Sequence, residues 1–166
     1  MQTFELTQKI LSVGATYEVR DAAGLSDSSN EVPMLTIRGK VLSATPSLTI
    51  VEGTDGPVIG AMKGNFTRTK FECKSADDTV IGSLTFPMLA LKKTFTLHAN
   101  DQEYKADGGY LAGEFVCKDG AGEVVLKITK QLALRDKFRI EAAPRIPTSL
   151  ALLAAVAVDQ RFFQES

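Results

Sequence analysis

The stretch Thr148-Ser-Leu-Ala-Leu-Leu-Ala-Ala-Val-Ala-Val158, followed by Asp-Gln-Arg-Phe-Phe163, decides how the rest of the chain must fold. Ala and Leu are strong helix formers. Thr148 or Ser149 can cap the first turn, and Pro147 suits the position just ahead of a helix. From 150 to 158 no polar residue interrupts the run, so the helix predicted over about 148–163 has no face to give to water. Those nine residues, at about 1.5 Å each, span only about 14 Å, well short of the roughly 20 residues a bilayer requires. A helix of this kind must be enclosed by its own protein.

The segments ahead of it read as strands. Tyr17 and Val19 alternate with Glu18 and Arg20, and Leu35, Ile37, Gly39 and Val41 alternate with Thr36, Arg38 and Lys40. Val80, Gly82, Leu84 and Phe86 share one face, as do Phe95, Leu97 and Ala99, then Phe138 and Ile140. Period two marks strands with one buried face. Gly-containing turns recur every 8–12 residues or so, which suits a sandwich or barrel of ten to twelve strands. Asp55-Gly56 and Asp119-Gly120 are hairpin signals, because Gly favours positive φ and Asp tolerates it; Asp107-Gly108-Gly109 reads similarly. The stretches 49–63 and 114–127 resemble each other as strand, Asp-Gly turn and second strand ending in Lys, a faint hairpin repeat. The loosest stretch, 22–31, is polar and reads as a loop. A wide barrel around the helix would close every sheet edge and fill the lumen. A sandwich with the helix over an open end is the alternative.

At 166 residues the chain fits one domain, 1–166, with a substantial core. Its net charge of −1 gives no global attraction to nucleic acid, so no nucleic-acid partner is expected. Cys73 and Cys117 sit in strand-like runs outside any CxxC pattern. They read as reduced, buried thiols, with an inter-strand disulfide as the minority reading. The first residues lack the basic start and apolar stretch of a signal peptide, which points to a cytoplasmic protein with no transmembrane segment.

The tail carries a family resemblance. Lys127-Ile-Thr-Lys130, Asp136-Lys-Phe-Arg-Ile140, Pro144 and the apolar helix ending Asp159-Gln-Arg-Phe-Phe-Gln-Glu165 resemble the C-terminal end of phospholipid scramblases. Tyr17-Glu-Val-Arg-Asp21-Ala-Ala-Gly24 and the Asp-Gly hairpins look like LURP-one-related proteins. Together with the tubby C-terminal domain these families share a mainly β fold, a barrel of twelve antiparallel strands threaded by a central hydrophobic helix. The Pro-rich N-terminal segment and Cys-rich stretch of scramblases are absent here. Their acidic calcium segment corresponds to 141–148, which holds one carboxylate, Glu141, and Arg145. Calcium wants six to eight oxygens, so no metal is expected, nor any cofactor. The basic phosphoinositide motif of tubby domains has no residue-by-residue match.

Enzymatic constellations are thin. His98 is the single histidine and takes the outward face of its strand, and no GxSxG, P-loop or HExxH pattern occurs. Basic residues are the better candidates. Arg135, Lys137 and Arg139 fall at i, i+2, i+4 on one strand face; Arg68 and Lys70 share another with Lys63 nearby; Lys92 and Lys93 follow a turn at Pro87. Such stripes either bind phosphate groups or serve as solvated faces that discourage edge pairing. Phe162 and Phe163 are expected to cap the barrel mouth rather than touch a membrane. Asp159, ending an apolar helix, is expected to meet a strand backbone or a basic side chain at the rim. The reading that follows is non-catalytic, peripheral binding of anionic phospholipid or phosphoinositide head groups, suggested by the resemblance. A protein-interaction scaffold without lipid affinity is the alternative, and scrambling is less favoured.

Overall fold

The computed structural model describes residues 1–10, 15–22, 32–39, 44–89, 93–108, 113–131 and 137–163. Lys40, Val41, Lys92, Arg135 and all but the first residue of the polar stretch 22–31 lie outside them. The strands are β1 (Gln2–Ile10), β2 (Ala15–Asp21), β3 (Leu35–Gly39), β4 (Ser47–Glu52), β5 (Val58–Gly64) and β6 (Lys70–Ser75). They continue as β7 (Val80–Thr85), β8 (Thr94–Ala99), β9 (Gln102–Asp107), β10 (Glu114–Lys118), β11 (Val124–Gln131) and β12 (Lys137–Ala142). Each pairs antiparallel with its neighbours in sequence, and β1 pairs with β12 from Gln2↔Ala142 to Thr7↔Lys137. That last ladder closes a twelve-stranded barrel and removes the sandwich alternative.

Helix α1 (Thr148–Val158) runs up the lumen, and Leu150 through Val158 are completely buried. The run is apolar on every side because strands surround it on every side. Inward side chains of the strands meet it: Leu6, Tyr17, Val19, Ile37, Ile50, Phe71, Leu84, Leu97, Ile128, Phe138 and Ile140 are all fully buried. The outward positions carry residues such as Glu5, Glu18, Arg38, Glu72 and Arg139. This is the reverse of the apolar-out, polar-in pattern of a membrane-spanning barrel. Among the described residues no helix is long and apolar enough to cross a membrane.

Pro147 occupies the N-cap with no side-chain capping bond, so neither Thr148 nor Ser149 caps the helix. The Thr148 hydroxyl instead lies 3.4 Å from the Gln2 side-chain oxygen on β1. The hairpins fall where the Asp-Gly pairs mark them, but the left-handed residues are Gly53 (φ 56°) and Gly122 (φ 84°) rather than Gly56 or Gly120. Asp119 contributes through its carboxylate, which accepts the N–H groups of Ala121 and Glu123.

Both copies of the hairpin repeat, β4–β5 and β10–β11, carry a register shift, between Ile50 and Val51 and between Cys117 and Lys118. The β6–β7 hairpin carries a third between Cys73 and Lys74. That shift corrects the sequence pattern at Val80. Gly82, Leu84 and Phe86 face inward, whereas Val80 is 53% exposed because the bulge breaks the alternation ahead of Gly82. Thr36 also departs from its outward parity: the β4–β5 connection folds over it, and its hydroxyl donates to the Gly53 carbonyl at 2.6 Å.

At Gly82 the sheet comes too close to the helix for a side chain. A Cβ on Gly82 would stand 2.7 Å from both the His98 carbonyl and a Leu150 methyl, whereas one on Gly120 would meet nothing within 4 Å. We therefore expect Gly82→Ala to destabilise the fold by about 1–3 kcal/mol through overpacking. Gly120→Ala should be neutral or stabilising by up to about 1 kcal/mol. Urea unfolding of the two variants checks the pair.

Candidate anion-binding end of the barrel

The barrel has two chemically different ends. At the end where α1 starts, β4, β6, β8 and β10 finish, and β5, β7, β9 and β11 begin. The turns there hold Asp55, Asp77, Asp78, Asp101, Asp119 and Glu123, with Glu52 and Glu103 beside them. Their carboxylates are firmly ionised where they are best satisfied. Hydrogen bonds from the Ser75 and Thr79 side chains and the Thr79 N–H hold Asp77 below its usual range. Asp119 is lowered by the Glu123 N–H and then by Arg145, whose guanidinium is 2.6 Å away. Of the cations at this end, Arg38 pairs with Asp55 at 2.8 Å and Lys74 with Asp78 at 3.5 Å, while Lys118 ends β10 exposed. Arg145 belongs to the segment that corresponds to the calcium segment of scramblases, so a guanidinium engaged with Asp119 stands there.

The opposite end, where the helix finishes, gathers basic residues, with carboxylates at Asp107, the end of β9, and Glu114, the start of β10. Lys63 lies at the end of β5, Arg68 in the turn to β6, and Lys70 at the start of β6. None of these three, nor Lys93, has a carboxylate within ion-pairing distance among the described residues; Glu72, across the ladder from Lys63, pairs with Lys74 at 3.9 Å. The turn that carries Arg68 is rigid. Asn65 Oδ1 accepts the N–H groups of Thr69 (2.8 Å) and Lys70 (3.1 Å), and Asn65 Nδ2 donates to Thr69 Oγ1. Arg68 itself adopts φ 55°.

The helix ends in a plug. A π turn (Asp159–Phe163) follows α1, beginning where the Asp159 N–H donates to both Ala155 and Val156 carbonyls. Phe162 stacks on Phe115 at 5.6 Å and meets Phe86 edge-on at 5.4 Å, while Phe163 packs against Phe115 and Phe138. Two lysines sit over this cluster, Lys130 Nζ 4.0 Å and Lys93 Nζ 4.8 Å from the Phe163 centroid. Arg161 Nη2 donates to the Pro87 and Met88 carbonyls at 3.2 and 3.3 Å. Cations here also complement the negative end of the helix dipole. Asp159, buried in the core, accepts a 2.6 Å hydrogen bond from the Tyr17 hydroxyl on β2, so a strand side chain receives the carboxylate.

The predicted basic positions divide. Lys63, Arg68 and Lys70 come together on the β5–β6 hairpin, and Lys93 joins the same end through the plug. Lys137 and Arg139 do share the outward face of β12, but on the far side of the barrel, beside β1. There Lys137 pairs with Glu5 at 3.2 Å, and Arg139 sits directly opposite Glu5. Sequence reasoning passed over Lys130 and Arg161. Lys130 has the inward parity of Leu126 and Ile128, and a lysine at an inward position at a strand's end was the available signal that it lines the mouth.

Elsewhere little chemistry gathers. An open cleft of about 420 Å³ lies at the acidic end, where β7 and β8 stop pairing at Ser83↔His98. His98 is half-exposed, 3.5 Å from Glu103 and 3.4 Å from the Thr85 hydroxyl. No cluster of three or more potential metal ligands exists among the described residues.

The profile of the LURP-one-related family matches residues 2–159. The chain belongs to that family, within the tubby-like and scramblase superfamily. No curated protein matches the chain. In this LURP-one-related barrel Cys73 and Cys117 are free and buried. Burial pushes each thiol up from about 9.0 to about 12, with Glu72 adding to the rise at Cys73. A group whose folded pKa is raised contributes stability that is intact below its unfolded value and is lost above it. Folding stability should therefore decline as pH rises from about 9 toward about 12. Urea unfolding across that range should show a shallower decline in a Cys73→Ala/Cys117→Ala variant.

Proposed function

We propose that this LURP-one-related chain acts as a single, non-catalytic domain that binds anionic phospholipid or phosphoinositide head groups peripherally at a cytoplasmic membrane face. The carrying observation is the segregation of charge along the helix axis. Cations of the β5–β6 hairpin, without an ion-pair partner among the described residues, and the lysines of the plug stand at one end, and carboxylate-rich turns stand at the other. A protein of net charge −1 would be repelled by an anionic surface in most orientations, and a polarised one is attracted in one of them. Lys63, Arg68 and Lys70 supply the phosphate-binding charge, Lys93 adds to it from the mouth, and the rigid Asn65 turn fixes its spacing. Lys137 has a lesser part because Glu5 already pairs with it, and Arg139 because it lies on the far side of the barrel from the β5–β6 hairpin. Lys92 and Arg135 extend the basic content of the chain in sequence.

Each Lys or Arg at an anionic surface contributes about 1 kcal/mol. The variant Lys63→Glu/Arg68→Glu/Lys70→Glu should therefore bind vesicles containing phosphatidylserine or phosphoinositide about a hundredfold more weakly. Co-sedimentation with anionic and neutral vesicles, at low and physiological salt, measures this. Salt-sensitive binding to the anionic vesicles alone is expected. No binding at either salt would overturn the lipid reading in favour of a scaffold for a protein partner.

A further inference from the structure

The basic end also carries large exposed apolar side chains in its connections. Phe66 is 72% exposed at the tip of the β5–β6 turn, and Met88 and Leu89, 64% and 94% exposed, follow β7. The two connections are neighbours, because the β6–β7 ladder extends to a 2.7 Å hydrogen bond from the Phe86 N–H to the Thr69 carbonyl. Asn65 ties down the turn beneath Phe66, and Arg161 holds the Pro87 and Met88 carbonyls while Phe86 is buried against Phe162. Water on such side chains costs free energy in proportion to their area, and here the backbone is built to present them.

We propose that Phe66, Met88 and Leu89 insert between the lipids of an anionic bilayer, so that the barrel stands with its helix-exit end on the membrane. The inference rests on the head-group reading above and adds the orientation and the second driving force. The setting of the tips favours a bilayer. Lys63, Arg68 and Lys70 surround Phe66 without a carboxylate partner among the described residues, placing ammonium and guanidinium groups at head-group height when the tips enter. Exposed apolar residues at the other end, such as Val58 and Val80, lie among Asp55, Asp77 and Asp78, which an anionic surface repels. Charge therefore selects which end enters.

The chain contains no tryptophan, so Phe66→Trp in the full chain creates a single reporter at an exposed site. With vesicles of phosphatidylcholine and phosphatidylserine, its emission should shift to the blue and be quenched by lipids brominated near the head of the acyl chain. Val58→Trp at the acidic end should stay in water. Phe66→Ser/Leu89→Ser should weaken binding about tenfold or more, since apolar area withdrawn from water is lost from the bound state, and should leave the residual binding more sensitive to salt. Wild-type binding with an unquenched Phe66→Trp reporter would overturn insertion while leaving head-group recognition intact. Quenching of Val58→Trp in place of Phe66→Trp would overturn the orientation. Failure of the wild-type chain to bind anionic vesicles at low salt would overturn both readings and leave the apolar tips as a contact for a protein.

Discussion

The interaction on which the structure depends is the enclosure of α1. Leu150 to Val158 have no polar neighbour within the helix to face water, and the run is too short to be accommodated by a bilayer. Full dehydration requires apolar surface on every side of a cylinder, and a flat or two-layered sheet covers only part of it. Twelve strands in simple succession, closed by β1 on β12, provide that surface and leave no unpaired sheet edge between them. The glycine at 82 then follows from the same demand, because the wall must approach Leu150 more closely than a side chain allows.

Filling the lumen moves the chemistry to the rims. Inward positions along the strands are consumed by packing against the helix, so the charged side chains that stand apart from the core fall to the outer face, the connections and the two mouths. At one mouth the helix ends in the Phe162–Phe163 plug, with Lys93 and Lys130 laid over the rings and Arg161 tied to the Pro87 connection. At the other, acidic turns hold their own backbone N–H groups and capture Arg38, Lys74 and Arg145. A chain of nearly zero net charge thereby acquires a strong axial asymmetry, with the basic pole at the negative end of the helix dipole.

Much of the fold was legible in the sequence. The apolar run named the central helix, alternation named most strand faces, and Asp55 and Asp119 marked turns that do form. The local misreadings have local causes. Val80 and Thr36 break the expected parity because a bulge and an overlying connection act on them, and a period-two pattern registers neither. The positive-φ residues are Gly53 and Gly122 rather than the glycines of the Asp-Gly pairs, since the turns are longer than two residues and place the left-handed position near their ends. The candidate site was only partly legible. Lys63, Arg68 and Lys70 lie on one hairpin, with Arg68 in its turn rather than on the strand face its spacing suggests, and nothing in the spacing of Lys137 and Arg139 signals Glu5, which arrives from the far end of the chain.

The sequence by itself determined that a short helix, apolar all round, had to be wrapped by amphipathic strands, because hydrophobic burial depends on composition and periodicity that any reader of the chain can see. Tertiary structure alone decided which charges stand free. Whether a lysine meets a carboxylate depends on strand neighbours and on which end of each strand faces which mouth. Those relations are fixed by closure of the barrel, which joins residues more than a hundred positions apart, such as Glu5 and Lys137 or Tyr17 and Asp159.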